Sequence, residues 1–187
     1  GEGFALNELG LALLNSGYLT QGENALRAAI EVRESLRGGL EDAHKVSLFD
    51  TQLDTYSLLQ QAIVLQYRAN EALEISEQGR TRAFVELLYE RLSAEPVELT
   101  DELSPKETID PLNLEQIQQI AKEQKATIVE YSIINLDHLF IWVIKPTGEI
   151  TFRPVHLQPL RQKQNASLSD LVNQVRESLG VEEPVRN

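Results

Sequence analysis

Apolar residues recur at helical spacing through the first half of the chain and at strand spacing through much of the second half. The longest helical run extends from Asp54 to Arg91, contains no proline, and is interrupted near residues 67–70, where an antiparallel turn fits. An earlier pair of helices is predicted over residues 2–37, with a break around Gly17. The first half is therefore predicted to consist of helical hairpins.

In the first helix the apolar pattern assigns five side chains to the buried face: Phe4, Leu6, Leu9, Leu13 and Leu14. In the second helix, Thr20 and Glu23 have the spacing of a capping box.

A change of composition marks the boundary of the helical part. Residues 93–112 contain three prolines, many acidic groups and a single lysine, which is typical of a solvated linker. The predicted units are therefore helical repeats over 1–92, a linker over 93–112, and a second unit over 113–187.

The second unit begins with a short helix capped by Asn113, after which the apolar period changes to that of strands. Strands are predicted over 126–134, 139–144 and 149–155, joined by tight turns, and an amphipathic helix over 168–179 is predicted to face inward. The predicted fold class is mainly α, with hairpins followed by a small α+β segment that contains a three-stranded meander and two helices.

Small residues stand where two helices must approach each other closely. The positions Leu9, Gly10, Leu13 and Gly17 resemble a tetratricopeptide repeat, whose unit is about 34 residues long. A weaker second copy fits about 50 residues later, at Leu59, Ile63, Ala72, Ser76 and Gly79. The excess length predicts a longer connection or a helix that starts near Asp42. A plain helical bundle with coincidental small residues is the alternative.

If the hairpins are repeats, the first helix of each lines a concave groove that binds extended or helical peptides. The residues predicted to face this groove are Asn7, Leu11, Leu14, Asn15, Ser57, Gln61, Val64 and Leu65.

Two arginines near the end of the helical half are candidates for a different role. At helical spacing, Arg80 pairs with Glu77 and Arg82 pairs with Glu86, which is the ordinary surface arrangement. The functional alternative is an anion or carboxylate site, or a contact that docks the second unit onto the helices, because guanidinium groups suit bidentate carboxylate binding.

Charge and composition exclude several classes of function. The formal net charge is −12, with no basic cluster, which argues against nucleic-acid binding. The chain has no cysteine, so it forms no disulfide, thiolate metal site or cysteine nucleophile of its own. No stretch is long and apolar enough for a membrane span. We expect no cofactor, a cytoplasmic location, and a parent protein longer than this chain, which begins at Gly1 and lacks methionine.

The three histidines, His44, His138 and His156, share no metal-ligand spacing, so no metal site is predicted. A nucleophilic grouping of Ser132 with the adjacent Asp137 and His138 lacks an elbow motif, and we do not favour it.

The order of these parts resembles that of bacterial, especially cyanobacterial, proteins that join tetratricopeptide repeats to a CHAT domain. The resemblance is carried by ALEISEQGRTRAFVELL over 72–88, the acidic linker, ATIVEYSI over 126–133, and LFIWVIKPTGEITF over 139–152. CHAT domains are caspase-like, and their presumed histidine–cysteine dyad lies in motifs that follow this segment. The resemblance implies a domain cut before its catalytic motifs, because no cysteine is present and the histidines match no family motif.

Three functions follow as hypotheses. The first is a non-catalytic protein-interaction scaffold that binds a protein or peptide and is attached to the start of a caspase-like domain. The second is a complete α+β ligand-binding or enzymatic domain with a polar cavity beside Tyr131, Trp142 and Phe152. The third is a homodimer formed through an exposed strand edge, with a structural role.

Overall fold

A computed structural model describes residues 1–37, 42–94, 110–164 and 168–178. Helical hairpins come first, followed by a short helix, an antiparallel sheet and two further helices. The elements are α1 (Glu2–Asn15), α2 (Leu19–Arg37), α3 (Asp42–Leu65), α4 (Ala69–Ala94), α5 (Leu114–Glu123), β1 (Ile128–Asn135), β2 (His138–Ile144), β3 (Ile150–His156), α6 (Gln158–Gln164) and α7 (Leu168–Ser178).

The first hairpin is held together by a glycine crossing. A Cβ atom on Gly10 would lie 2.6 Å from Leu26 Cγ, and one on Gly22 would lie 2.8 Å from Leu14 Cδ2, so the two backbones approach as closely as only glycine allows. The buried residues of α1 are accordingly Gly3, Asn7 and Gly10.

The predicted buried face of α1 was therefore wrong in part. Phe4 and Leu9 are about half exposed, because the residues that touch the neighbouring helices are small or polar rather than large and apolar. The predicted capping box at the start of α2 was also wrong, since Thr20 lies inside the helix and its hydroxyl donates to Gln66 Oε1.

The second hairpin repeats the first with the predicted offset of about 50 residues. The helix α3 begins at Asp42, as one of the two predicted alternatives required, and the five small or apolar positions of the second copy are all buried. The loops also match. Gly17 and Tyr67 occupy the same position after their helices, with φ of 81° and 62°, and both loops are closed by the same pair of backbone hydrogen bonds.

The described strands form a sheet of order β1-β2-β3, in which every neighbouring pair is antiparallel. Each strand matches its predicted range to within two residues. The tight turn between β2 and β3 has Gly148 at φ 85°. Pro154 lies within the outer strand β3, as its missing N–H requires.

One face of the sheet packs on the helices and the other is open. Phe140, Trp142 and Ile144 of β2 are buried against the helical layer together with Glu130 and Ile134 of β1. The opposite face carries Val129, Tyr131 and Ile133, which are 43%, 59% and 60% exposed. The alternating apolar residues of β1 thus lie on the open face, and its carboxylate lies on the buried one.

An aromatic cluster connects the sheet to the hairpins. The rings of Phe140, Trp142 and Phe152 lie with their centroids 5.2–5.9 Å apart. The indole Nε1 of Trp142 donates to the backbone oxygen of Ala69, the first residue of α4, at 2.8 Å. Aromatic packing of this kind and a satisfied indole N–H stabilise the contact between the layers.

Hydrogen bonds fix the short helix α5 at its N-terminus and at its middle. Asn113 and Gln116 form the predicted cap, with each side chain bonded to the other residue's backbone N–H. The N–H of Leu114 also donates to Glu74 Oε1 of α4 at 2.8 Å, and Gln118 Nε2 donates to the oxygen of Gly148 at 2.6 Å.

The remaining differences concern the linker and the last helices. The helix α4 continues to Ala94, into the predicted linker, most of which lies outside the described residues. The connection after β3, for which no helix was predicted, contains α6. The helix α7 forms where predicted, but none of its residues is buried, so its apolar side does not face inward as expected.

We predict that Gly10→Ala destabilises the protein by about 1–2 kcal/mol, even though alanine favours helix more than glycine does. The new methyl group would overlap the fully buried Leu26, and overpacking costs about 1–3 kcal/mol. Truncation of the half-exposed Leu9 to alanine should cost less than about 1 kcal/mol. Urea denaturation followed by circular dichroism measures both variants. A Gly10→Ala protein as stable as the wild type would contradict the glycine crossing.

We predict that Tyr67→Gly stabilises the protein by about 1 kcal/mol. Tyr67 is 98% exposed and adopts the left-handed conformation that costs a residue with a Cβ atom about 1–2 kcal/mol. Tyr67→Phe keeps the strain and should leave the free energy of unfolding unchanged. Equal shifts of the urea midpoint in both variants would contradict the backbone strain at Tyr67.

Candidate functional site

The eight residues predicted to line a peptide groove fall into two groups. Asn7 is only 5% exposed, and its Oδ1 accepts from the hydroxyl of Thr55 on α3, which in turn accepts from Arg33. Asn7 therefore lies inside the contact between α1, α2 and α3. Leu14 and Val64 are partly buried against the core.

The other five are accessible to different degrees. Asn15 and Leu65 are exposed, and Leu11, Ser57 and Gln61 are half-buried. They are distributed over α1 and α3, the first helices of the two hairpins, as the repeat arrangement places them.

Sequence reasoning missed one member of this surface. Phe4 is 55% exposed and lies seven residues before Leu11, so both residues lie on the same side of α1. The helical spacing contained this signal, but the size and hydrophobicity of Phe4 favoured a buried position.

A network of charged groups ties the hairpins together at their loop ends. The carboxylate of Glu23 accepts from Arg27 at 2.9 Å, from Arg68 at 2.7 Å and from Gln66 at 2.7 Å. Glu71 accepts from both arginines at 2.6 Å. Burial opposes the ionisation of Glu23, but hydrogen bonds from Arg68, Gln66 and Arg27 outweigh it and lower the pKa of Glu23. The stability that this carboxylate contributes is present above pH 4.5 and is lost as the pH falls below that value.

The two candidate arginines of α4 contact different parts of the protein. A guanidinium nitrogen of Arg80 lies 2.9 Å from Glu130 Oε1 on β1, and another lies 3.1 Å from Glu77 Oε1. Arg82 pairs instead with Glu34 of α2 at 2.6 Å. The side chain of Glu86, its expected partner, lies outside the described residues. Arg80 thus lies between the helices and the sheet, and Arg82 lies between the hairpins.

Glu130 is the most perturbed acid of this contact. Burial raises its pKa to about 7, and the neighbouring Glu77 carboxylate acts in the same direction. A hydrogen bond from Ser76 and the charge of Arg80 oppose the increase without cancelling it. Glu130 therefore holds a proton in the folded protein at pH values where an exposed glutamate has lost it.

The histidines of the sheet form a pair that their spacing in sequence did not suggest. His138 and His156 face each other across β2 and β3, with ring centroids 4.8 Å apart. His138 Nδ1 lies 3.0 Å from Asn135 Oδ1, and no hydrogen bond joins His138 to Ser132 among the residues described. Within those residues, no three potential metal ligands come together. No described helix is both long and apolar enough to cross a bilayer.

The space predicted beside Trp142 and Phe152 contains packed side chains rather than a polar cavity. Trp142 is fully buried, and both rings contact each other and Phe140. This part of the sheet is core, whereas Tyr131, the third residue of the predicted cavity, lines a cleft with Gln60, Ser76 and Arg80.

Stacked hairpins with a glycine crossing and a repeated loop position have the geometry of a helical-repeat fold. The comparison with known proteins found similar proteins. The chain is 30% identical over 193 residues to tetratricopeptide repeat protein 28 of Mus musculus and to its counterpart in Homo sapiens. Each alignment covers 93% of this chain, so it extends beyond the hairpins into the sheet segment. The chain spans 8% and 7% of the lengths of these relatives. No family model and no solved structure matches the chain.

We predict that the free energy of unfolding decreases as the pH rises from about 4.5 to 7. In this range the folded protein retains a proton on Glu130 that the unfolded chain releases, so the stability due to that proton is lost as the pH passes 7. The shift corresponds to a change on the order of 3 kcal/mol.

Glu130→Gln should remove this slope, since glutamine does not titrate. Glu149→Gln removes an exposed carboxylate with the same change of charge and should keep the slope. Urea midpoints at half-unit intervals of pH test both. A wild-type protein whose stability is level from pH 4.5 to 7 would contradict the raised pKa.

Proposed function

We propose that this chain is a protein-interaction scaffold whose helical hairpins bind a partner polypeptide. The observation that supports this most strongly is the repetition of the whole hairpin after about 50 residues, down to the left-handed loop position shared by Gly17 and Tyr67. Stacked hairpins of this type present a continuous concave surface, and such surfaces bind extended or helical peptides.

The accessible residues of α1 and α3 form the proposed binding surface. Phe4, Leu11 and Leu65 supply apolar area, and Asn15 and Gln61 supply hydrogen-bonding groups. Exposed apolar side chains bordered by amides are typical of peptide-binding surfaces. The buried Asn7 contributes to the surface indirectly, because its bond to Thr55 fixes α1 relative to α3.

We predict that Leu11→Glu reduces the affinity for groove-binding peptides at least tenfold. The peptides are selected from a displayed random library on the wild-type chain, and their affinities are measured by fluorescence anisotropy. A buried carboxylate at the centre of an apolar contact leaves an unpaired charge, which is costly.

Leu9→Glu is the matched control. Position 9 lies about 200° around α1 from position 11, so the same substitution falls on the other side of the helix. Equal loss of affinity in both variants, or selected peptides that bind both variants as tightly as the wild type, would contradict the groove.

We further propose that residues 113–187 form the opening part of a CHAT-like, caspase-related domain and that this chain does not catalyse peptide hydrolysis. The proposal rests on the resemblance of residues 72–88 and 139–152 and on the meander that follows the hairpins. The alignments to the relatives also include the sheet segment. A peptidase assay on a broad substrate panel should give no turnover. Turnover that is lost on substitution of His138 or His156 would overturn the proposal.

The open face of the sheet favours a second candidate, a homodimer. Tyr131 and Ile133 are well exposed there, and the outer strand β1 pairs with β2 alone among the described strands. We predict that Tyr131→Lys, which places a charge on this face, gives a monomer, whereas the wild type shows a concentration-dependent mass in sedimentation velocity. A wild type that stays monomeric up to several hundred micromolar contradicts the dimer.

A further inference from the structure

A cleft of about 300 Å³ lies between the second hairpin and the outer strand of the sheet. It meets the predicted groove at Ser57, which lines both, and lies where Arg80 in the middle of α4 meets Glu130. Its principal lining residues are Tyr56 and Gln60 of α3, Ser76 and Arg80 of α4, and Tyr131 and Ser132 of β1.

Two buried oxygens at or beside this cleft accept no well-aligned hydrogen bond from the described residues. Gln60 lines the cleft and is only 3% exposed, and its Oε1 has no hydrogen-bond partner among the described residues. The carboxylate of Glu130, which is 4% exposed, contacts the lining residues Ser76 and Arg80. Its Oε1 is 2.9 Å from Arg80 but accepts no well-aligned hydrogen bond from the described residues. Buried oxygens of this kind are costly unless a donor reaches them.

The acids that contact the lining residue Arg80 favour a cationic ligand when Glu130 is ionised. Glu77 and ionised Glu130 carry two negative charges against the single positive charge of Arg80, so one more cation makes the cluster neutral. A carboxylate ligand would instead meet two acids and leave both buried acceptors without donors. The rings of Tyr56 and Tyr131 also line the cleft, and aromatic faces attract alkylammonium and guanidinium groups.

We propose that this cleft binds the cationic side chain of a lysine or arginine from a partner polypeptide. The volume is at the lower end of the range for ligand sites, about 300–1,000 Å³, which suits one long side chain. A polypeptide is the favoured source because Tyr131, Ser132 and Ile133 belong to an outer strand, whose second edge can pair with an extended segment. The side-chain nitrogen donates to Gln60 and Glu130 and completes the charge cluster.

The first test uses n-butylammonium as the probe of a lysine side chain, with ¹H–¹⁵N spectra recorded at pH 8, where Glu130 is ionised. We expect saturable shifts of the Gln60 side-chain amide and of the Ser132 and Ile133 backbone amides. Butyrate and n-butanol should give no saturable shift at equal concentrations. Saturable binding of butyrate at these residues, or absence of binding by butylammonium, overturns the proposal.

Variants then test the two acceptors. Gln60→Leu and Glu130→Gln should each weaken butylammonium binding at least fivefold, and Glu149→Gln is the control for loss of one negative charge elsewhere on the sheet. Equal weakening by Glu149→Gln would show that only the net charge of the protein matters, and it would contradict specific binding in the cleft. If Gln60→Leu unfolds the chain, Glu130→Gln and the wild-type spectra decide the matter.

A last comparison separates a polypeptide from a free amine. A capped seven-residue peptide with a central lysine should bind at least tenfold more tightly than butylammonium, and its norleucine analogue should bind at least tenfold more weakly than the lysine peptide. Equal affinities of the lysine peptide and butylammonium contradict a polypeptide partner. Leu11→Glu should leave these affinities unchanged, so failure of this site and failure of the groove are distinguishable.

Discussion

The hydrogen bond from the indole of Trp142 to the backbone of Ala69 fixes the sheet on the hairpins. It reaches α4 at its first residue, where the helix begins, and the rings of Phe140 and Phe152 surround the indole. Because Trp142 belongs to the central strand, its position determines where both outer strands lie. The contact of Arg80 with Glu130 and the bond from Leu114 to Glu74 are possible only with this placement.

Within the helical part, small residues set the geometry and charged residues adjust it. Gly10 and Gly22 let α1 and α2 approach until backbone touches side chain. The next hairpin is then aligned through the loop-end cluster around Glu23 and through the buried bond of Thr55 with Asn7. Such half-buried polar networks contribute more to a defined relative orientation than to net stability. A repeat protein needs this orientation, because its binding surface is composed of several hairpins.

Much of the fold follows from local sequence pattern. A feature can be predicted from the sequence when the residues of a single helix, strand or turn determine it. The hairpin breaks, the cap at Asn113, the turn at Gly148 and the edge position of Pro154 depend on nearby residues alone. Faces were harder to predict, because the side that a helix or strand buries depends on what approaches it. Phe4 was predicted to be buried, yet it is exposed, and Asn7 is buried instead. The alternating pattern of β1 gave its two faces but did not show that the face of Glu130 packs on the helices.

The candidate sites also differ in whether they depend on local sequence or on contacts between distant elements. The proposed groove on the first helices rests on the repeat pattern, which the sequence contains. The cleft at Gln60 could not be inferred from the sequence. Its lining residues come from α3, α4 and β1, which are distant in sequence, and no motif marks them as neighbours. The same holds for the pair of His138 and His156, which only the strand register reveals.

The position of Glu130 opposite Trp142 in the strand register gives the protein an internal optical sensor. Both side chains are buried on the same face, so a full negative charge appears or disappears beside the single indole of the chain. A charge on the strand neighbour of Trp142, in a poorly solvated environment, is expected to alter the energy gap of the indole. The emission of the unlabelled protein should therefore respond to the protonation of Glu130, and so to the charge at the contact between hairpins and sheet.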